Sequence, residues 1–270
     1  MILKYNNRVV THNDRWIDYT NKLPPYTIRL LFEDGVTPTF SKGTGVQVSS
    51  SPNIWDLTYN NSNWDSLLYE QTNLLEVLGA NSNGVTDMGG MFLQCNNLTS
   101  VALFDTSNVT YIGYMFSNCY KLISVPLFDT SNVTNMETMF WRCDNISSIP
   151  SFNTSNVTEM RDMFGGCFNL ESVPLFDTSK VTNINGMFQS CFKLKYVPLF
   201  NTSSVTSAVN TLNDCRNVEG GALALYNQMS SQTTPPIYYG NCFKDCGRNT
   251  TTGYAELQQI PQSWGGLANG

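Results

Sequence analysis

The stretch FDTSNVTNMETMFWRC, from Phe128 to Cys143, decides the fold because the chain repeats it at a fixed interval. A near copy, FDTSNVTYIGYMFSNC, begins at Phe104, and another, FNTSNVTEMRDMFGGC, begins at Phe152. Such self-similarity is typical of repeat proteins, in which each copy is one structural unit that packs on its neighbours. Six cysteines keep the same spacing from copy to copy: Cys95, Cys119, Cys143, Cys167, Cys191 and Cys215.

Each repeat divides into two elements. The first predicts a short helix, because apolar residues recur in it at i, i+3, i+7 and i+10; in one copy these are Val109, Ile112, Phe116 and Cys119. The second, LISVPLF from Leu122 to Phe128, predicts a short strand that ends near its proline. We therefore predict a leucine-rich-repeat-like solenoid with one short strand and one short helix per 24-residue coil, capped at both ends.

The consensus FDTSNVTxMxxMFxxCxxLxSVPL resembles the leucine-rich repeat of BspA-type surface proteins of gut and oral bacteria, and related repeats occur in mycoplasma surface proteins. The resemblance covers residues 78 to 223 or so. It implies a role in adhesion and surface interaction, without catalysis. The N-terminal segment MILKYNNRVVTHNDRW, residues 1–16, resembles short N-terminal segments of virion proteins from phages that infect gut Bacteroidales.

The remaining segments complete the predicted organisation. Residues 1–22 alternate apolar and polar residues around two turn signals, which predicts a small β meander that could serve as a docking segment. Residues 23–80 are predicted to form an N-terminal cap, residues 81–220 a six-coil solenoid, and residues 221–270 a helical and irregular C-terminal cap. The C-terminal cap is predicted to contain a helix from about Gly221 to Met229.

Composition and motifs exclude several classes of protein. Only 13% of the residues are charged and the net charge is −6, so we expect no nucleic-acid partner, because phosphate binding needs clustered Lys and Arg. No 18-residue apolar run predicts a membrane span, and the N-terminus lacks the apolar stretch of a signal peptide. With His12 as the one histidine and no phosphate-binding loop, we expect no enzyme, no cofactor and no metal site.

The cysteines leave more than one interpretation open. Neighbouring coils would place their Cα atoms about 5 Å apart, which allows a disulfide, but stacked side chains point the same way. Free cysteine is often buried as a small apolar side chain, so we expect the six cysteines to form a reduced, buried structural column. Cys242 and Cys246, at spacing four, could instead form a disulfide or bind a metal, with buried thiols as the simpler expectation.

Positions that differ between copies are the candidates for recognition, because stacking does not constrain them. Aromatic residues and arginine, which are enriched in binding hot spots, collect at these positions. Alternatively, the aromatic residues after each cysteine fold back over the coil edge and bind nothing. The predicted exposed strip consists of Tyr114, Tyr120, Trp141, Arg142, Phe168 and Phe192.

Three functions are compatible with these features. The first is a phage virion component, in the tail or as a capsid decoration or fibre, that contacts a host-surface glycan or protein, or other virion proteins through residues 1–22. The second is an adhesin on a bacterial cell surface, and the third is a purely structural virion spacer. Each allows a homo-oligomer, and none requires insertion into a membrane.

Overall fold

The computed structural model describes residues 11–12, 15–16 and 23–268. Strand β1 (Thr11–His12) pairs antiparallel with β2 (Arg15–Trp16), with Thr11 opposite Trp16. The rest of the meander predicted for residues 1–22 lies outside the described residues.

A five-stranded sheet precedes and joins the repeats. Its strands are β3 (Thr27–Phe32), β4 (Thr44–Ser50), β5 (Asn53–Thr58), β6 (Leu74–Asn81) and β7 (Ser100–Val101), in the spatial order β4-β5-β3-β6-β7. The pairs are antiparallel except β6 with β7, which are parallel. Because β7 lies within the first cysteine-containing repeat, the sheet continues directly into the repeats.

The repeats stack in parallel, as their period predicts. Isolated parallel bridges link the residues that follow each Val-Thr pair, one repeat apart: Asp87, Tyr111, Asn135, Glu159, Asn183 and Ser207. The same ladder reaches Asn63 at one end and Tyr238 at the other. Residues 23–268 therefore contain eight stacked layers, two more than the cysteine count predicts.

The two extra layers lack the sequence signal that marks the others. In the first, Gln71 occupies the cysteine position, and Trp64 and Leu68 replace the methionine and phenylalanine of the interior. In the last, the partner of Ser207 is Tyr238, which stands further along the chain than one repeat. The additional residues of that layer accommodate helix α1 (Ala222–Ser230), which lies close to the helix predicted from about Gly221 to Met229.

The helix predicted in each coil is wrong. The segment between Val109 and Cys119 is a run of turns, because Tyr114 and Asn118 have positive φ angles of 61°, which a right-handed helix cannot contain. Its N–H groups alternate in direction: Met115 donates to Ile112 within the coil, whereas Phe116 donates to Met139 of the next coil at 2.9 Å. The apolar residues still share one buried face, so their periodicity reports burial rather than helix.

The strand predicted in each coil is also reduced. Beyond β7, the LISVPLF segment and its equivalents form no named strand within residues 102–268. A backbone hydrogen bond of 3.2 Å from Ile123 N to Thr99 O joins two of these segments, and a single bridge joins Tyr196 to Gly220. Proline at the centre of the segment removes one donor, which limits the pairing.

The interior consists of columns of equivalent side chains. Phe92, Phe116, Phe140, Phe164 and Phe188 stack with ring centroids 5.3 to 5.8 Å apart. A second column consists of buried threonines, as where the Thr106 hydroxyl donates to the Asp129 carbonyl at 2.8 Å. The hydroxyls of Thr130 and Thr178 form the same bond to the next coil, whereas the buried Thr154 hydroxyl has no partner.

The C-terminal segment lies over the last layer. It contains α1, α2 (Thr251–Leu257) and a 3-10 helix (Gln262–Trp264). The Glu256 carboxylate accepts hydrogen bonds from the N–H groups of Gly221 and Leu223, at the start of α1. The Trp264 ring stacks on Tyr239 with centroids 4.1 Å apart.

Candidate functional site

The structure buries the whole cysteine column. Each sulfhydryl donates to the carbonyl of the phenylalanine, or in the first case the leucine, 27 positions earlier, for example Cys119 Sγ to Phe92 O at 3.1 Å. The same carbonyl accepts the N–H of Cys95 within its own coil. Cysteine therefore fits this position because it is small and because its thiol forms a hydrogen bond between coils.

Cys242 and Cys246 are also buried thiols, and they occupy repeat positions in the last layer. In the last layer Cys246 N donates to Phe243 O, as Cys119 N donates to Phe116 O, and Cys242 stands at the position of the repeat methionine. All eight cysteines are free and buried in the structure. Burial raises the pKa of Cys95, Cys215 and Cys242 to about 12, so these thiols stay protonated and are poor nucleophiles and metal ligands.

Four of the six predicted strip residues meet in one stacked row. The Arg142 guanidinium carbon lies 5.5 Å from the Tyr120 ring centroid and 5.3 Å from that of Phe168. Phe168 and Phe192 stack at 5.0 Å with an interplanar angle of 5°. Arg216, which the predicted strip omits, lies 5.6 Å from the Phe192 centroid and extends the row. We call these five residues the aromatic row.

The aromatic row satisfies most of its own contacts. Arg142 pairs with Asp144 at 3.5 Å and Arg216 with Asp214 at 2.5 Å. Burial raises the pKa of the Asp144 carboxyl, and the charge of Arg142 opposes that shift. Neighbouring rings and guanidinium groups cover both faces of Phe168 and Phe192 and one face of Tyr120, so a ligand would contact the edges of the two phenylalanine rings rather than stack on them. This arrangement corresponds to aromatic residues folded over the coil edge.

Trp141 and Tyr114 lie outside the aromatic row. The Trp141 indole covers Gly165 of the next coil, where any side chain would collide with the ring. The Tyr114 hydroxyl lies 3.4 Å from Arg161 Nη2, which also donates to Glu137 at 2.8 Å. All six predicted residues are half-buried rather than exposed.

The most exposed apolar residues of the repeats lie on the opposite element, LISVPLF. Leu103, Leu127, Leu175 and Leu199 occupy one repeat position, and between 56% and 67% of each is exposed. We call these four residues the leucine row. Ser151 occupies the same position in the middle coil, and Ile123 and Tyr196 add exposed apolar surface beside the row.

A set of carboxylates runs beside the leucine row. Asp105, Asp129 and Asp177 stand two residues after their leucines, and all three are exposed. Each accepts the N–H of the serine two positions later, at 2.9 to 3.0 Å. Hydrogen bonds from Ser131 and Ser179 lower the pKa of Asp129 and Asp177, so both are ionised at neutral pH. In each case the Asp side chain caps a turn through this serine N–H.

Comparison with protein-family models identifies the family described as "Mycoplasma protein of unknown function, DUF285", with matches to residues 47–126 and 121–224. Together these matches cover more than half of the chain. The chain belongs to this family. The match supports the BspA-type leucine-rich repeat resemblance, gives no indication of catalysis, and does not extend to the phage resemblance of the N-terminal residues.

Among solved structures, the chain is similar to a leucine-rich repeat protein of T. pallidum, TpLRR, known from a crystal structure. The two share 19% sequence identity and a TM-score of 0.44, over 74% of this chain and 85% of that chain. Comparison with curated proteins gives no match. The family assignment therefore rests on the family model, which spans the repeats.

The described residues of this family member were compared with two further kinds of site, metal centres and membrane spans. Among them, no group of three or more His, Cys, Asp and Glu side chains is placed to hold a metal ion. Within the same residues, every helix is too short or too polar to cross a bilayer. Strand alternation would not find the leucine row, because it places Leu127 on the same face as the buried Val125. Burial in this segment falls at every third residue, Leu122, Val125 and Phe128, which leaves Leu127 exposed.

Proposed function

We propose that this family member is a non-catalytic binding protein that acts in adhesion. One observation carries the proposal: the interior positions hold the same residue types in coil after coil, while outward positions such as Tyr120, Asp144 and Phe168 change. Stacking therefore explains the constant buried residues, and recognition explains why an outward surface of this length varies. The relationship to leucine-rich repeat surface proteins supports the same role.

The finer parts of the proposal concern architecture and setting. We take the stack as a solenoid capped by residues 23–80 and 221–270, and the protein as a virion component that contacts a host surface or, through residues 1–22, other virion proteins. The resemblance of residues 1–16 to virion proteins supports that setting, and a bacterial cell-surface adhesin is the alternative. The covered ring faces of the aromatic row favour one further candidate, a structural virion spacer.

A cell-binding assay tests the binding function. Labelled protein is incubated with Bacteroidales cells and with a glycan array, beside Tyr120→Ala/Trp141→Ala and a control, Tyr254→Ala, which alters an exposed tyrosine on α2. The wild type and the control should bind, and the double variant should bind at least about tenfold more weakly, as expected for hot-spot aromatics. Failure of the wild type to bind any cell or glycan would reject the binding function and leave the spacer.

Fractionation tests the setting. Antibody against the purified protein should detect it in purified phage particles, and deletion of residues 1–22 should abolish its incorporation. Detection in the bacterial envelope instead would establish the adhesin alternative, and normal incorporation of the deletion variant would reject residues 1–22 as the docking segment.

A further inference from the structure

We propose that the leucine row and the carboxylates beside it form a docking surface for an amphipathic helix of a partner protein, with apolar residues on one face and Lys or Arg along one flank. This inference rests on the proposed binding function and assigns it a surface and a partner chemistry. The exposure of the row is its starting point, since contiguous exposed apolar residues mark interaction sites.

The spacing of the row fits a helix better than an extended strand. The rings of Phe104 and Phe128, which directly follow Leu103 and Leu127, have centroids 5.0 Å apart. One turn of an α-helix rises about 5.4 Å, whereas residues on one face of a strand are about 6.6 Å apart. A helix laid along the row therefore brings about one apolar side chain to each leucine, and a strand loses register after two coils.

The length of the row sets the length of the partner helix. Four such intervals separate Leu103 from Leu199, so the row is roughly 20 Å long, which corresponds to about 13 helical residues. Ser151 leaves a gap at its centre. The partner is therefore a helix of about three to four turns that contacts the row through two apolar pairs.

The carboxylates beside the leucine row indicate which side chains the partner helix carries along its flank. The five segments that carry the row, residues 99–105, 123–129, 147–153, 171–177 and 195–201, hold four exposed carboxylates, Asp105, Asp129, Glu171 and Asp177, against one exposed cation, Lys195. The exposed Lys121 and Lys193 stand two residues before their segments, and the exposed Glu219 begins the next one. Lys180 stands three residues after Asp177 and donates to Asn156 at 2.8 Å, and its charge adds to the Ser179 hydrogen bonds that lower the pKa of Asp177. Asp129 and Asp177 keep their charge at neutral pH because their folded pKa is lowered. A basic flank on the helix would pair with these carboxylates, which steers association and fixes orientation.

The same charges argue against a second copy of this chain on the row. Two copies joined through this face would bring eight carboxylates and two lysines into one interface, and like charges across an interface disfavour association. An anionic membrane surface is disfavoured for the same reason.

A synthetic peptide tests the inference directly. The probe is an 18-residue helical peptide with leucines at i, i+4, i+7 and i+11 and lysines along one flank, and its counterpart carries glutamates in place of the lysines. Binding to the full chain is measured by fluorescence anisotropy. The lysine peptide should bind, with affinity that falls as salt rises, and the glutamate peptide should bind at least about tenfold more weakly.

Protein variants separate the apolar and charged contributions. Leu127→Glu/Leu175→Glu should lower the affinity for the lysine peptide at least about tenfold. The control Val46→Glu, on β4, alters a valine that is 60% exposed outside the row and should leave binding unchanged. Asp129→Asn/Asp177→Asn should weaken binding about threefold to tenfold, and it is a mild change because Asn153 and Asn201 occupy the same repeat position. Ser151→Leu should strengthen binding by filling the gap.

Several outcomes would overturn the proposal. Equal binding of both peptides, or binding unaffected by Leu127→Glu/Leu175→Glu, would show that the row is not the site. A dimer of the protein alone, seen by sedimentation and abolished by the same double variant, would make a second copy the occupant. Cell binding by the unmodified chain separates this inference from the proposed function. If the unmodified chain binds cells but does not bind the lysine peptide, the docking surface is rejected and the binding function stands.

Discussion

The two sides of each coil are held together in different ways. On the turn side, between Val109 and Cys119, four N–H groups of one coil donate to carbonyls of the next, at 2.7 to 3.4 Å. On the leucine side, from Leu122 to Phe128, one inter-coil backbone bond is formed, by Ile123 to Thr99, and Leu127 is 59% exposed. A residue can thus recur for opposite reasons. The turn-side cysteine recurs in all six repeats because it is buried, and the leucine recurs at four of the five positions of its row although it is exposed.

The largest expected effect is an alkaline loss of stability through the buried thiols. The folded-state pKa of Cys95, Cys215 and Cys242 is about 12, against a usual 9.0, because burial disfavours the thiolate. A raised folded pKa gives stability that is complete below pH 9 and is lost as pH rises towards 12, because the unfolded chain releases these protons first. Between pH 9 and pH 12, each such thiol lowers the free energy of unfolding by about 1.4 kcal/mol per pH unit.

Denaturant unfolding under reducing conditions at pH 7, 8, 9 and 10 measures this loss. With eight buried thiols, the free energy of unfolding should fall by several kcal/mol between pH 8 and 10, a large share of an ordinary domain's stability. Cys119→Ala/Cys167→Ala should reduce the pH dependence by about a quarter. A free energy of unfolding that stays constant from pH 8 to 10 would contradict the burial of the thiols.

The next effect comes from the phenylalanine column of the turn side. Phe140 is fully buried and stacks on Phe116 and Phe164 at 5.7 and 5.8 Å. Phe140→Ala should lower the free energy of unfolding by about 3–5 kcal/mol, since it leaves a cavity in a packed column. Phe168→Ala, in the half-buried aromatic row, is the matched comparison and should cost clearly less; equal costs would show that the row is part of the core.

A smaller effect distinguishes buried from exposed threonines. Thr130 is 2% exposed, and its hydroxyl donates to Asn153 O at 2.8 Å, which joins two coils. Thr130→Val keeps the shape but leaves that carbonyl without the hydroxyl, so it should cost about 1–2 kcal/mol in chemical denaturation. Thr134→Val alters an exposed threonine whose bond to Thr110 O is 3.3 Å long; it should cost less than about 0.5 kcal/mol. The reverse order would contradict the assigned burial.

The sequence predicted the stacking and the buried residues well, because both follow from the period. It failed on the conformation of the turn side, since Val109, Ile112, Phe116 and Cys119 satisfy helical spacing while their backbone bonds go to the next coil. The sequence of one repeat cannot show that its backbone N–H groups donate to carbonyls of the neighbouring repeat. It also missed the first and last layers, where Gln71 replaces cysteine and α1 lengthens the repeat.

The candidate surface was harder to predict than the fold. Variation between copies indicates Tyr120, Phe168 and Phe192, but neighbours cover both faces of the two phenylalanine rings and one face of Tyr120, which only the stacked structure shows. A search among the positions that differ between copies misses the leucine row, because leucine occupies four of its five positions. Variation therefore marks positions free of stacking constraints, and exposure must be added before such positions indicate binding.

The smallest expected effect on stability belongs to the leucine row itself. Leu127→Ala removes an apolar side chain that is 59% exposed and that leaves no cavity, so the free energy of unfolding should change by less than about 0.5 kcal/mol. Leu127→Ala should also lower the affinity for the lysine peptide measurably, because the apolar surface that the substitution removes would be covered only in the complex. A large loss of stability would instead show that Leu127 supports the coil, and its recurrence would then need no partner to explain it.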